Sequence, residues 1–154
     1  APAAGPVGRV DGENVHLLQR PVDHQVFELP LQAQLPRVDI VPAYLDASPA
    51  LLECAIDNGA TGIVIDALGR GHVPPDWMPA VRDASSQGLP VLVTSSCLSG
   101  PLHQSYEFSG SLVDLCQAGA LPVSGLGARK ARIVLSILLA SDTPLAATLD
   151  ALAR

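Results

Sequence analysis

Lysine is almost missing from this sequence: Lys130 is the only one, and the nine basic residues stand against fifteen acidic ones, a formal net charge of −6. A protein that tracks a phosphate backbone or an anionic membrane needs the opposite balance, so no nucleic acid and no membrane is expected as a partner; a small molecule or another protein is. Long apolar runs are missing as well. None approaches the roughly 18–20 residues that span a bilayer, and residues 1–8 lack the basic and apolar regions of a signal peptide. With 48% hydrophobic and only 16% charged residues in 154, the chain is expected to fold as one soluble domain with a real core.

Cysteine and histidine are few and badly placed for a metal. Cys54, Cys97 and Cys116 are odd in number and widely spaced, which points to buried, reduced thiols rather than a disulfide framework, and leans towards a cytoplasmic location. His16, His24, His72 and His103 show no HxxxH or HxH spacing and no cysteine at ligand distance. Nucleotide signatures are incomplete. Gly69-Arg70-Gly71 follows an apolar run but lacks the third glycine of a dinucleotide loop, and Val73-Pro74-Pro75 stops the tight turn that loop needs. Gly125-Leu126-Gly127-Ala128-Arg129-Lys130 lacks the spacing of a phosphate loop and reads as the start of a helix. No cofactor is expected. A G-x-S-x-G elbow is absent too, so Ser95 and Ser96 are expected to cap or orient rather than attack.

What is there is punctuation and alternation. Residues 1–35 carry Pro2, Pro6, Pro21 and Pro30 among short apolar runs without helical period, which reads as a linker with a small hairpin, 8–10 and 14–18, turning at Gly12. From Pro36 short apolar runs at 38–41, 62–65, 90–94 and, more weakly, 120–124 alternate with helical stretches. Runs apolar on both faces are the mark of a parallel sheet covered on both sides. Ser48-Pro49 opens a helix over 50–58 that Gly59 closes. A second helix over 76–87 tolerates Pro79 in its first turn. Others follow at 110–118, at 129–140, largely buried, and from Thr143-Pro144 onward. The expected fold is an α/β, three-layer, flavodoxin-like domain with about four parallel strands and helices on both faces.

Ligand contacts in such sheets gather in the loops after the strands' carboxyl ends. Here those loops hold Tyr44 and Asp46; Asp66, Arg70 and His72; Ser95 and Ser96; and a long stretch, 98–108, with His103, Gln104, Tyr106 and Glu107. Loops of that length in compact domains are usually functional. Glu107, between Tyr106 and Phe108, is either a partly desolvated site carboxylate or a solvated loop acid.

Leu35-Pro36-Arg37-Val38-Asp39-Ile40-Val41, then Tyr44 and Asp46-Ala47-Ser48, then Gly59-Ala60-Thr61-Gly62-Ile63-Val64, Gly69-x-Gly71, the run from Val91 to Ser96, and Lys130-Ala131-Arg132 come in an order that resembles the C-terminal domain of bacterial L-asparaginases. Gly5-Pro6-Val7-Gly8 resembles the segment where that family's N-terminal domain ends. The resemblance divides the chain into a linker and N-terminal-domain remnant, 1–35, and the C-terminal domain, 36–154. It implies hydrolysis of L-asparagine to L-aspartate and ammonia through a threonyl acyl-enzyme. The nucleophile belongs to an N-terminal domain whose Thr-Gly-Gly-Thr loop does not occur here, so the chain by itself is expected to be inactive. The family completes its site across a dimer, with an Asn in the Gly-x-Gly loop and an acid in the long loop. Arg70 stands where the Asn is expected, a departure that suits a carboxylate partner, and Glu107 stands where the acid is expected, to hold the substrate's α-ammonium group. A homo-oligomer, or an exposed apolar patch formed by Leu98, Leu102, Tyr106 and Phe108, is expected. Two alternatives remain: the asparaginase-like subunit of a tRNA-dependent amidotransferase, and a non-catalytic flavodoxin-like module binding a small effector.

Overall fold

The computed structural model describes residues 5–19, 26–141 and 143–152. Two strands, β1 (Gly8–Asp11) and β2 (Asn14–Leu17), pair antiparallel from Gly8 opposite Leu17 to Asp11 opposite Asn14. Nearly every residue of this ribbon is exposed, as expected for a hairpin too small to bury a core of its own.

The main sheet has four parallel strands in sequential order: β3 (Val38–Pro42), β4 (Gly62–Ala67), β5 (Val91–Ser95) and β6 (Leu121–Pro122). Right-handed crossovers between neighbours in that order put their helices on one face. These are α1 (Ala50–Asp57), α2 (Met78–Ser86), preceded by a 3₁₀ turn at Pro75–Trp77, and α3 (Leu112–Gln117). The opposite face is covered by α4 (Ala128–Ala140) and, beyond it, α5 (Leu145–Leu152). Strand alternation explains the two cores. Ile63, Ile65, Val91 and Val93 face the α1–α3 layer, where Leu52, Trp77, Val81 and Leu115 meet them. Val38, Val64 and Leu92 face α4, where Ala131, Leu135 and Leu138 meet them. Gly62 allows the α4 contact: a Cβ there would lie 2.8 Å from Leu135 Cδ2. Arg132 Nε donates to the Val38 carbonyl at 2.9 Å and Ser136 Oγ to that of Pro36 at 3.1 Å, which ties α4 to the outer strand. Among the described residues no helix is long and apolar enough to cross a membrane.

The three-layer α/β class and the order of its elements are those the alternation predicts, with differences at three places. The fourth strand shrinks to two residues. The expected helix at 76–87 opens with the 3₁₀ turn. The expected helix at 110–118 starts only at Leu112, because Gly110 has φ +85° and Ser111 is the cap, its Oγ accepting from Asp114 N–H. The cysteines correct an expectation. All three are free, but Cys54 and Cys97 are exposed and Cys116 only half-buried. Cys54 lies on the outward side of α1, between the buried Leu52 and Ala55, and Cys97 sits in the loop beyond β5.

Candidate functional site

The rim at the carboxyl end of β4 and β5 is built by two loops that fasten to each other. The first is a tight reversal from Leu68 to His72: Leu68 N–H donates to the His72 carbonyl at 2.9 Å, and the N–H groups of Gly71 and His72 return to that of Leu68 at 2.9 and 2.8 Å. Gly71 has φ +102°, and a Cβ there would sit 3.0 Å from side-chain atoms of both Leu102 and Leu112, so the second loop closes directly over it. That second loop, 96–110, is pinned at intervals. Ser96 N–H donates to Ala67 O at 2.9 Å, His103 N–H to Arg70 O at 3.3 Å, and Gly110 O accepts from Val73 N–H at 2.9 Å. Ser95 Oγ donates to Gly69 O at 2.5 Å while accepting from Cys97 N–H at 3.1 Å. The orienting role expected of Ser95 is thus visible, and both its hydrogen bonds are to backbone.

The predicted residues divide in two. His103 and Gln104 are taken up locally, the first against Ser105 Oγ at 2.5 Å and the second on Cys116 Sγ at 3.4 Å. Asp66 is half-buried at the end of β4, and Asp46 adopts φ +61°, a left-handed conformation that aspartate tolerates, in the exposed β3–α1 loop with Tyr44. Arg70 and Glu107 lie on the same rim, both exposed, and neither side chain makes a hydrogen bond or ion pair among the described residues. Leu98, Tyr106 and Phe108 are exposed as expected. Leu102 is not: it is half-buried against the core, drawn in by the space Gly71 leaves.

His72, which the sequence places in a loop where ligand contacts gather, is given no individual role by the sequence alone. Its ring meets Tyr106 edge-on, with centroids 5.4 Å apart and planes at 77°, and meets Phe108 at 5.0 Å and 55°. Its Nδ1 is buried without a hydrogen-bond partner among the described residues. The sequence signal is faint: two aromatics separated by one residue, in a chain with very few aromatics.

Burial, and secondarily the charge of Arg70, lower the His72 pKa from its ordinary value. Burial also raises the Cys116 thiol, with the Gln104 contact opposing it. For His72 the sign is definite. The unfolded chain titrates there at about pH 6.5, and the folded chain lower, so as the pH drops through that region the unfolded state binds more protons and stability is lost. His72→Phe should remove this contribution. Melting curves of the two proteins are expected to diverge in favour of the variant as pH drops from about 7.5 to about 5; a gap independent of pH would show that His72 keeps its ordinary affinity for protons.

Residues 37–151 match the family described as glutaminase/asparaginase C-terminal domain. The chain is 36% identical over 137 residues to an L-asparaginase of Bacillus licheniformis, a match covering 89% of this chain and 42% of that protein. It is 35% identical over 139 residues to a probable L-asparaginase of Deinococcus radiodurans, covering 88% and 41%. A glutamyl-tRNA(Gln) amidotransferase subunit of Methanosarcina mazei is 37% identical over 86 residues, 56% of this chain and 20% of that protein. The chain therefore spans about two-fifths of the length of the asparaginases it matches. The family match runs from just before β3 into α5, taking in the whole parallel sheet and both rim loops, and the chain belongs to the glutaminase/asparaginase C-terminal domain family.

Proposed function

We propose that this chain is the C-terminal portion of an L-asparaginase-type amidohydrolase, with residues 36–154 as the domain and residues 1–35 as linker and remnant of an N-terminal catalytic domain. In this reading the nucleophilic threonine lies outside the chain. It attacks the side-chain amide of L-asparagine, ammonia leaves, and water releases L-aspartate from the acyl-enzyme. This domain adds the rim. Glu107 holds the substrate's α-ammonium group in the active site of a partner subunit of a cytoplasmic homo-oligomer, and Arg70, a planar cation with five donors, pairs with a carboxylate. The observation that carries the reading is the state of Glu107: an exposed carboxylate without an intramolecular partner among the described residues, on a loop otherwise fastened down, at the position where the family resemblance puts an acid.

The amidotransferase relatives support a second reading, as a subunit acting on a tRNA-linked substrate. It is the weaker one. Its match covers 86 residues against 137 for the asparaginase, and a chain with net charge −6 and a single lysine is poorly suited to a phosphate backbone.

Glu107→Gln in the full-length protein tests the proposal. A hydrogen bond to a charged group contributes about 1.5–3 kcal/mol, so kcat/KM for L-asparagine should fall by about 10- to 100-fold. The melting temperature should barely move, since an exposed loop carboxylate contributes within about 0.5 kcal/mol to folding. Normal kinetics with a large loss of stability would make Glu107 a structural acid and sink the assignment.

A further inference from the structure

We propose that His72 is a positioning residue for Glu107: its ring, in contact with both Tyr106 and Phe108, fixes the direction in which the carboxylate between them faces. The inference rests on the reading of Glu107 as a substrate-binding acid and adds to it a residue that touches no substrate.

Residues 106 and 108 both turn their rings onto the same imidazole, with centroids 5.4 and 5.0 Å away. Holding the rings on both sides of residue 107 in the chain restrains the backbone that carries Glu107. Tyr106 and Phe108 keep about half their surface exposed but both lay their rings on His72, and Glu107 between them is exposed and free of that contact. The imidazole is a firm anchor because the reversal that carries it is closed by the paired Leu68 and His72 backbone bonds and braced by Ser95 Oγ on Gly69 O. The loop's backbone is tied to the first loop at His103 and again at Gly110. Glu107 falls midway between those ties, where the aromatic grip supplies the contact. The buried Nδ1 of His72 has no hydrogen-bond partner among the described residues, so ring contacts rather than a hydrogen bond at that atom connect the imidazole to the loop. What the grip needs is an uncharged planar ring, which separates positioning from proton chemistry.

The test is a double-mutant cycle in the full-length protein, read as KM and kcat for L-asparagine well below the melting temperatures. His72→Ala should raise KM by about tenfold while kcat changes by less than about threefold, since loss of orientation at a contact weakens what that contact binds. His72→Phe should restore KM to within about twofold, as it keeps the planar grip. In a Glu107→Gln background, His72→Ala should add less than about a further twofold, because residues acting through one contact are not additive. An unchanged KM in His72→Ala, or a full tenfold effect surviving in the Glu107→Gln background, overturns the positioning role. If Glu107→Gln alone leaves KM unchanged, the assignment of Glu107 has failed, and the positioning proposal falls with it.

Discussion

Trp77→Ala is expected to remove about 4–5 kcal/mol of folding stability, a large share of the roughly 5–15 kcal/mol that a domain of this size commands. Trp77 is the largest fully buried side chain, with 0% exposure, and its cluster joins the 3₁₀ turn before α2 to Ala43, Ala47 and Leu52 on the β3–α1 side. Its indole N–H donates to the Ala47 carbonyl at 2.7 Å across a separation of 30 residues. Truncation leaves a cavity between sheet and helices and deprives that carbonyl of its donor, two losses of different origin. Trp77→Phe separates them. It keeps most of the ring and loses the N–H, so about 1–3 kcal/mol is expected. Urea denaturation followed by far-UV circular dichroism is the suitable measurement, because the substitution removes the chain's only tryptophan. A loss below about 1 kcal/mol for the alanine variant would mean that the core closes around the gap, contrary to the rigid packing of sheet and helices.

Gly110→Ala should be almost as damaging, for a reason unrelated to burial of apolar area. The residue has φ +85°, and an added Cβ would come within 2.3 Å of the Val73 carbonyl oxygen and 3.3 Å of further backbone atoms at 73 and 74. Backbone cannot rotate away as a side-chain tip does. The left-handed conformation alone costs about 1–2 kcal/mol for a residue with a Cβ. Relieving the clash pulls apart the Val73 to Gly110 bond and the bond from Gly110 N–H to Asp114 Oδ2 at 3.0 Å. We expect a loss of about 3 kcal/mol or more, together with faster hydrogen exchange across residues 103–110, because the far tie of the Glu107 loop is the one released. Gly127→Ala is the control: its φ of −74° suits any residue and nothing lies within 4 Å of the added carbon, so a change under about 0.5 kcal/mol is expected. Equal effects at the two positions would show that the clash at Gly110 is relieved without cost.

Different kinds of sequence signal survived folding to different degrees. Val64 and Leu92 lie in short β-branched or leucine-rich runs bounded by turn residues, the pattern of strands covered on both faces, and both are fully buried. Gly59, Gly88 and Gly119 each sit just past a helix with positive φ, where a side chain would be strained. Such features are local, set by backbone sterics and hydrophobic period, and a single sequence carries them. The order of pieces that resembles the asparaginase family is equally a property of the chain. The cysteines show where composition alone misleads: an apolar residue beside apolar neighbours was expected inside, but a helix's rotation about its axis, set by Leu52 and Ala55, turned Cys54 outward.

The sequence by itself determined the alternation of strands and helices, the loops at one rim and the presence there of Arg70 and Glu107, because these follow from periodicity, turn chemistry and linear order. Only the tertiary structure decided that His72 meets Tyr106 and Phe108, that Leu102 turns inward over Gly71, and that Gly110 rests against the Val73 carbonyl. Contacts of that kind join residues far apart in the chain. They exist only once strand pairing has fixed the distance between two loops, and no local preference of either segment encodes that distance.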